Sequence, residues 1–163
     1  MRAVLAAVMA LMLAGCGFTP LYGTAQGGGV QGGGVQGLSA TEVSVPDTRA
    51  GYLLREAITD TFAIAGAPQY RLETDIEAQR LALGRRVDDT ATRYELRHIV
   101  RYRLTPLAGG RVFEGEVSVS TTYADAEQPY AGVIAMQDAE ARLASDAARR
   151  IHRDLARQLH ASR

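Results

Sequence analysis

Tyr94-Glu-Leu-Arg-His-Ile-Val-Arg-Tyr-Arg-Leu104 decides the fold. Tyr94, Leu96, His98, Val100, Tyr102 and Leu104 fall on one side of a period-two alternation, and Arg93, Glu95, Arg97, Ile99, Arg101 and Arg103 fall on the other. Successive side chains of a strand point to opposite faces, so this is a long strand with one apolar and one charged face. Upstream, Tyr70, Leu72, Thr74, Ile76 and Ala78 alternate with Arg71, Glu73, Asp75 and Glu77. The phase slips near Arg80, where Leu81 and Leu83 take over, which predicts a bulge or bend there. Gly84 to Thr92 reads as a polar loop. Downstream, Leu107-Ala108-Gly109-Gly110 reads as a tight turn. Phe113, Val117, Val119, Thr121 and Tyr123 then alternate with Glu114, Glu116, Ser118 and Ser120.

Helical spacing flanks these three strands. Leu38 to Val45 reads as a short strand ended by Pro46. Thr48 or Asp47 can cap a helix from about Arg49 to Ala65, with Leu54, Ile58, Phe62 and Ala65 as its apolar stripe and Gly66 as its stop. From about Ile134 to His160, Leu143, Ala147, Ile151, Leu155 and Leu159 recur every four residues. Ala139, Ala144 and Ala148 widen that stripe, and Asp138–Arg142 and Asp146–Arg150 have favourable i, i+4 spacing. The order is β-α-β-β-β-α. Each strand has one apolar face, and two amphipathic helices are available to cover it. The expected fold is α+β, a two-layer sandwich with a four-stranded mixed sheet and both helices on one face.

The N-terminus reads as an address. Met1-Arg2 is followed by the apolar run Ala3 to Leu13, which is too short to span a bilayer and fits the core of a secretory signal. Leu13-Ala14-Gly15-Cys16 has the lipobox pattern of bacterial lipoproteins. Residues 1–15 are therefore expected to be a signal peptide, and Cys16 the acylated first residue of the mature chain. Gly17 rather than Asp follows Cys16, which by analogy directs a Gram-negative lipoprotein to the outer membrane. Residues 24–37, with their doubled Gly-Gly-Gly-Val-Gln unit, read as a flexible linker. Residues 16–37 are thus a lipidated start and linker, and residues 38–163 a single domain.

Composition narrows the function. The 163 residues carry 18 basic and 18 acidic side chains, and every basic one is Arg. Zero net charge gives no support for nucleic-acid binding. Cys16 is the only cysteine, so the chain has no internal disulfide and no cysteine metal cluster. Glu114 and Glu116 point to one side of a strand and could act as an acid–base pair. The turn centred on Ala108-Gly109, however, places Arg103 opposite Glu114 and Arg101 opposite Glu116, and cross-strand ion pairing accounts for both. Arg93, Arg97, Arg101 and Arg103 could hold phosphate bidentately. With Glu95 they sum to +3, against −2 on each flanking strand, a net of −1, which favours a charge ladder. His98 lies on the apolar face and reads as a core or rim histidine. His152 and His160 have no acidic partner at ligand spacing, and the Gly-rich stretch has no Lys-Ser/Thr to make it a phosphate loop. Nothing points to an enzyme, a metal or a cofactor.

Cys16-Gly-Phe-Thr-Pro-Leu-Tyr-Gly23 resembles the mature start of the LptE family of lipopolysaccharide-assembly lipoproteins, in its alphaproteobacterial form. Gly51-Tyr-Leu-Leu-Arg55, Tyr123-Ala-Asp-Ala126, Gln137-Asp-Ala-Glu-Ala-Arg142 and Asp154-Leu-Ala-Arg-Gln-Leu159 extend the resemblance over nearly the whole mature chain. It implies a non-enzymatic protein that sits in the lumen of the LptD outer-membrane β-barrel, supports its assembly and contacts lipopolysaccharide during transfer to the outer leaflet. Lipopolysaccharide contacts in the family are basic side chains; Arg85, Arg86 and Arg93 are the candidates here. The alternative is a stand-alone periplasmic lipid- or glycan-binding lipoprotein.

Overall fold

The computed structural model describes residues 37–83, 93–124 and 129–162. The expected signal peptide, Cys16, the linker up to residue 36, and the loop with Arg85 and Arg86 lie outside the described residues.

The element order is β1 (Thr41–Ser44), α1 (Arg49–Phe62), β2 (Tyr70–Ala82), β3 (Arg93–Pro106), β4 (Phe113–Ala124) and α2 (Pro129–Ala161). The strands form one sheet in the order β1-β2-β3-β4. β1 pairs parallel to β2 across the α1 crossover, and the other two pairings are antiparallel. The fold is therefore α+β with a mixed four-stranded sheet, as the alternation implied. Arg103 stands opposite Glu114 and Arg101 opposite Glu116, the register expected from the turn. In that turn Gly109 and Gly110 take φ values of 81° and 128°, which residues with a side chain rarely adopt.

The core lies between the sheet and the helices. Leu72, Val100, Leu104 and Val119 from the strands meet Leu54 and Ile58 of α1 and Leu143, Ile151 and Leu155 of α2, all essentially inaccessible to water. Burying each such side chain contributes about 1.5–3 kcal/mol. Ala139, Ala147 and Ala148 of α2 are equally buried, and their small size brings the helix backbone close to its neighbours. Thr48 caps α1, its Oγ1 accepting from the Gly51 N–H at 3.1 Å. Gly51 admits no substitute, because a Cβ there would lie 2.1 Å from the Pro46 carbonyl oxygen.

Four local expectations are corrected. α1 stops at Phe62, not near Gly66. Ala63 adopts the left-handed conformation and the Ile64 N–H bonds back to the Thr59 carbonyl at 3.1 Å, closing the helix one turn early. α2 begins at Pro129 rather than Ile134, because its first turns make helix without burying a stripe: Tyr130, Val133 and Ile134 are exposed. β2 has no bulge near Arg80, since its register against β3 runs unbroken from Tyr70 to Ala82. Arg80 has the parity of the covered face yet stays exposed, laying its guanidinium 3.7 Å from the centroid of the Tyr94 ring, and Leu81 and Leu83 are exposed too. Finally, Asp146 pairs with Arg149 instead of Arg150. Arg150 reaches the sheet and donates to the Ser118 carbonyl at 3.0 Å.

Candidate interaction surface

The helices cover one face of the sheet, and the opposite face is a lattice of exposed ions. Its centre is Arg101, whose guanidinium reaches Glu116 at 3.1 Å, Glu77 at 3.4 Å and Asp75 at 3.6 Å. Arg103 pairs with Glu114 at 2.7 Å, Arg97 with Glu95 at 3.2 Å, and Arg71 with Glu42 of β1 at 3.2 Å. Apart from Arg97–Glu95, which lie two apart on β3, the pairs cross between neighbouring strands, where register brings cation and acid together. A hydrogen bond from Ser120, aided by Arg97, holds the Glu95 carboxyl below its usual range. A shallow depression of about 580 Å³ over the centre is lined by Asp75, Arg101, Arg103, Glu114 and Glu116. Each exposed pair is worth at most about 1 kcal/mol. What the lattice provides is paired charge, with acids in slight excess, spread over a broad wet face. Glu114 and Glu116, the candidate acid–base pair, are each committed to an arginine.

Arg93 lies at the start of β3, exposed and in register with Ala124. It shares the charged face with Arg97, Arg101 and Arg103, as the alternation required, but sits at the opposite end of β3 from Arg103. His98 is buried in the core layer; desolvation lowers its pKa, with Glu140 pulling weakly upward. His152 packs edge-on against Phe62 with ring centroids 5.3 Å apart, and burial lowers its pKa too. Among the described residues no group of His, Cys, Asp or Glu is placed to hold a metal ion, and no helix is long and apolar enough to cross a membrane.

One polar cluster was not anticipated from the sequence. Tyr102, on the covered face of β3, sends its hydroxyl to Asp154 of α2, and the Gln158 amide donates to the same hydroxyl at 3.2 Å. Arg157 bonds the other Asp154 oxygen at 2.8 Å. Burial, reinforced by the Asp154 hydrogen bond, raises the Tyr102 pKa far above that of a free phenol, and the same hydrogen bond lowers that of Asp154. Gly115, opposite Tyr102, makes room: a Cβ there would lie 2.3 Å from the hydroxyl oxygen. A lone glycine inside a strand was the available signal for this close approach.

Residues 38–159 match the family model described as "LptE: Lipopolysaccharide-assembly". Among solved structures, a Caulobacter crescentus protein described as a lipoprotein is 41% identical, with a TM-score of 0.68 over 80% of this chain and 98% of its own. The rare lipoprotein B of Shewanella oneidensis shares the fold at 18% identity, with a TM-score of 0.57 over 76% of this chain and 98% of its own. A minor lipoprotein of Acinetobacter baumannii does so at 15% identity, with a TM-score of 0.53 over 72% of this chain and 89% of its own. No curated protein matches the chain.

Proposed function

We propose, on the premise that this chain belongs to the LptE lipopolysaccharide-assembly family, that it is an outer-membrane lipoprotein that plugs the LptD β-barrel. In that position it supports assembly of the barrel and assists transfer of lipopolysaccharide to the outer leaflet. The work is binding, with no catalytic step and no cofactor.

The observation that carries this reading is the exposed ionic face. A wide barrel has a polar, water-filled interior. A protein entering it must present a surface that tolerates partial loss of bulk water without stranding a charge. The lattice around Arg101 suits that requirement, because Asp75, Glu77, Glu114 and Glu116 each have a guanidinium within 4 Å. The apolar face is meanwhile consumed by the helices and asks nothing of the barrel wall.

In this reading the signal peptide of residues 1–15 is removed and acyl chains on Cys16 anchor the chain from the periplasmic side. Each buried methylene contributes about 0.8 kcal/mol, so more than one chain makes the anchor stable. Residues 16–37 then span the distance between the lipid and the domain of residues 38–163. Arg85, Arg86 and Arg93 supply guanidinium groups that pair bidentately with lipopolysaccharide phosphates.

The test is affinity purification of the tagged chain from outer membranes. LptD should be recovered with it, and recovery of the chain without any large barrel protein would overturn the reading in favour of a stand-alone lipid- or glycan-binding lipoprotein. Cys16→Ala should leave the protein membrane-associated through the barrel; full release would argue that lipid is the sole attachment.

A further inference from the structure

The two edges of the sheet are not alike. β1 offers only four residues, whereas β4 offers twelve. Backbone groups of an antiparallel strand point alternately toward and away from the paired neighbour. The Glu114 carbonyl accepts from the Gln158 amide at 3.2 Å, and the Ser118 carbonyl from Arg150 at 3.0 Å. These bonds mark Glu114, Glu116 and Ser118 as the residues whose backbone faces outward. Both donors are ends of long side chains on α2, not a neighbouring backbone, and such donors can be exchanged.

Beside this edge runs a groove of about 720 Å³ between Glu116–Ser118 of β4 and Arg150, Arg153 and Arg157 of α2. Of the α2 residues that line it, three are arginines and one is an acid, Asp154, which is already bonded to Tyr102 and Arg157. The helix wall of the groove is therefore cationic. On the other side of the sheet, Glu114 and Glu116 are paired with Arg103 and Arg101, so the surface beside β4 there offers no unpaired cation.

We propose that the outer edge of β4 is a strand-addition site for an extended acidic segment of a partner protein, which replaces Gln158 and Arg150 on the β4 carbonyls. Such a segment extends the sheet by one strand. Its side chains alternate, so every second residue lies toward α2, where Arg150, Arg153 and Arg157 select carboxylates. The intervening residues lie toward Glu114 and Glu116, whose arginines are already taken, so a carboxylate gains nothing there. The site thus reads alternation and not acidity alone. The inference concerns the edge of the sheet; Glu114 and Glu116, which border that edge, also belong to the face assigned to the barrel lumen.

The full chain in detergent is titrated with a labelled nonapeptide of alternating Thr and Glu, and with a control of the same composition in two blocks. The alternating peptide should bind at least about tenfold more tightly, the difference expected from losing one charge-assisted contact. Ser118→Pro removes an outward N–H while leaving pairing with β3 intact, as edge positions allow, and should abolish binding. If that variant misfolds by circular dichroism, Arg153→Glu with Arg157→Glu gives the second reading and should also abolish it. Equal binding of the two peptides, no binding of either, or binding unchanged in the folded variants would each overturn the proposal. Absence of binding together with self-association of Arg150→Ala would identify Arg150 and Gln158 as guards of the edge and nothing more.

Discussion

The two faces of the sheet are built from the same strands, yet they are held by different physics. On the covered face, Leu72, Val100, Leu104 and Val119 are sealed by two helices, and their contribution comes from apolar area removed from water. On the open face, Arg101, Arg103, Asp75, Glu77, Glu114 and Glu116 remain in water, and their attraction is screened. Stability should therefore reside almost wholly on one side, leaving the other free to be shaped by what it touches. The sharpest way to break this comparison is the same kind of truncation on each face. Ile151→Ala, in the covered layer, should cost about 2–5 kcal/mol in denaturant unfolding. Ile99→Ala, on the open face of β3, should cost no more than about 1 kcal/mol. Equal losses would show that the open face is not energetically independent.

That division also explains what could be read from the sequence. Alternation in β3 is legible because one face is buried along the whole strand, and the turn at Gly109-Gly110 then sets the β3–β4 register and the Arg103–Glu114 and Arg101–Glu116 pairs. The stripes Leu54-Ile58-Phe62 and Leu143-Ala147-Ile151-Leu155 are legible for the same reason. Where elements outrun the core, the signal fails. The first turns of α2 bury no stripe, so Tyr130 and Val133 do not read as helix. The end of β2 mimics a bulge because it outruns the core: Arg80 takes the covered-face parity while exposed, held over the Tyr94 ring. Ala63 ends α1 in a conformation usually left to glycine. The choice between Arg149 and Arg150 as partner of Asp146 depends on the Ser118 carbonyl, which is distant in sequence. Of the candidate contact residues, only Arg93 falls among those described, and its face was legible from parity alone.

Gly115 tests the covered face at its one polar point. Gly115→Ala forces a Cβ against the Tyr102 hydroxyl and should destabilise by about 1–3 kcal/mol, the usual range for overpacking. Tyr102→Phe in the same chain removes the nearer clashing atom, leaving the ring Cζ at 2.6 Å, and should recover part of the loss. A double-mutant cycle therefore gives strong coupling, and additive losses would mean that the two residues do not press on each other.

Acid separates the faces next. Burial holds the His98 imidazole below its usual 6.5 in the folded chain. The unfolded chain then binds the proton first, so stability is full above the unfolded value and falls as pH drops through the folded one. His152 is depressed by burial in the same direction. The melting temperature should decline below about pH 6.5, the unperturbed histidine value, and His98→Gln should flatten part of that decline, the remainder belonging to His152. An unchanged slope would place the sensitivity elsewhere.

The smallest effect is expected where the drawn contacts are densest. Arg101 reaches three carboxylates, but its side chain is 53% exposed and theirs are 48–71% exposed. Exposed pairs contribute at most about 1 kcal/mol, so Arg101→Met should move the melting temperature by no more than about 2–4 °C. The same change leaves Asp75 and Glu77 with no shared cation and removes the charge opposite Glu116. A face that meets a polar lumen would then carry uncompensated acid into contact, where partial desolvation makes each charge more costly. Recovery of LptD with the tagged variant should fall well beyond what the small stability change explains. A variant that melts normally and still retains the barrel in full would show that charge pairing on this face is not what the host requires.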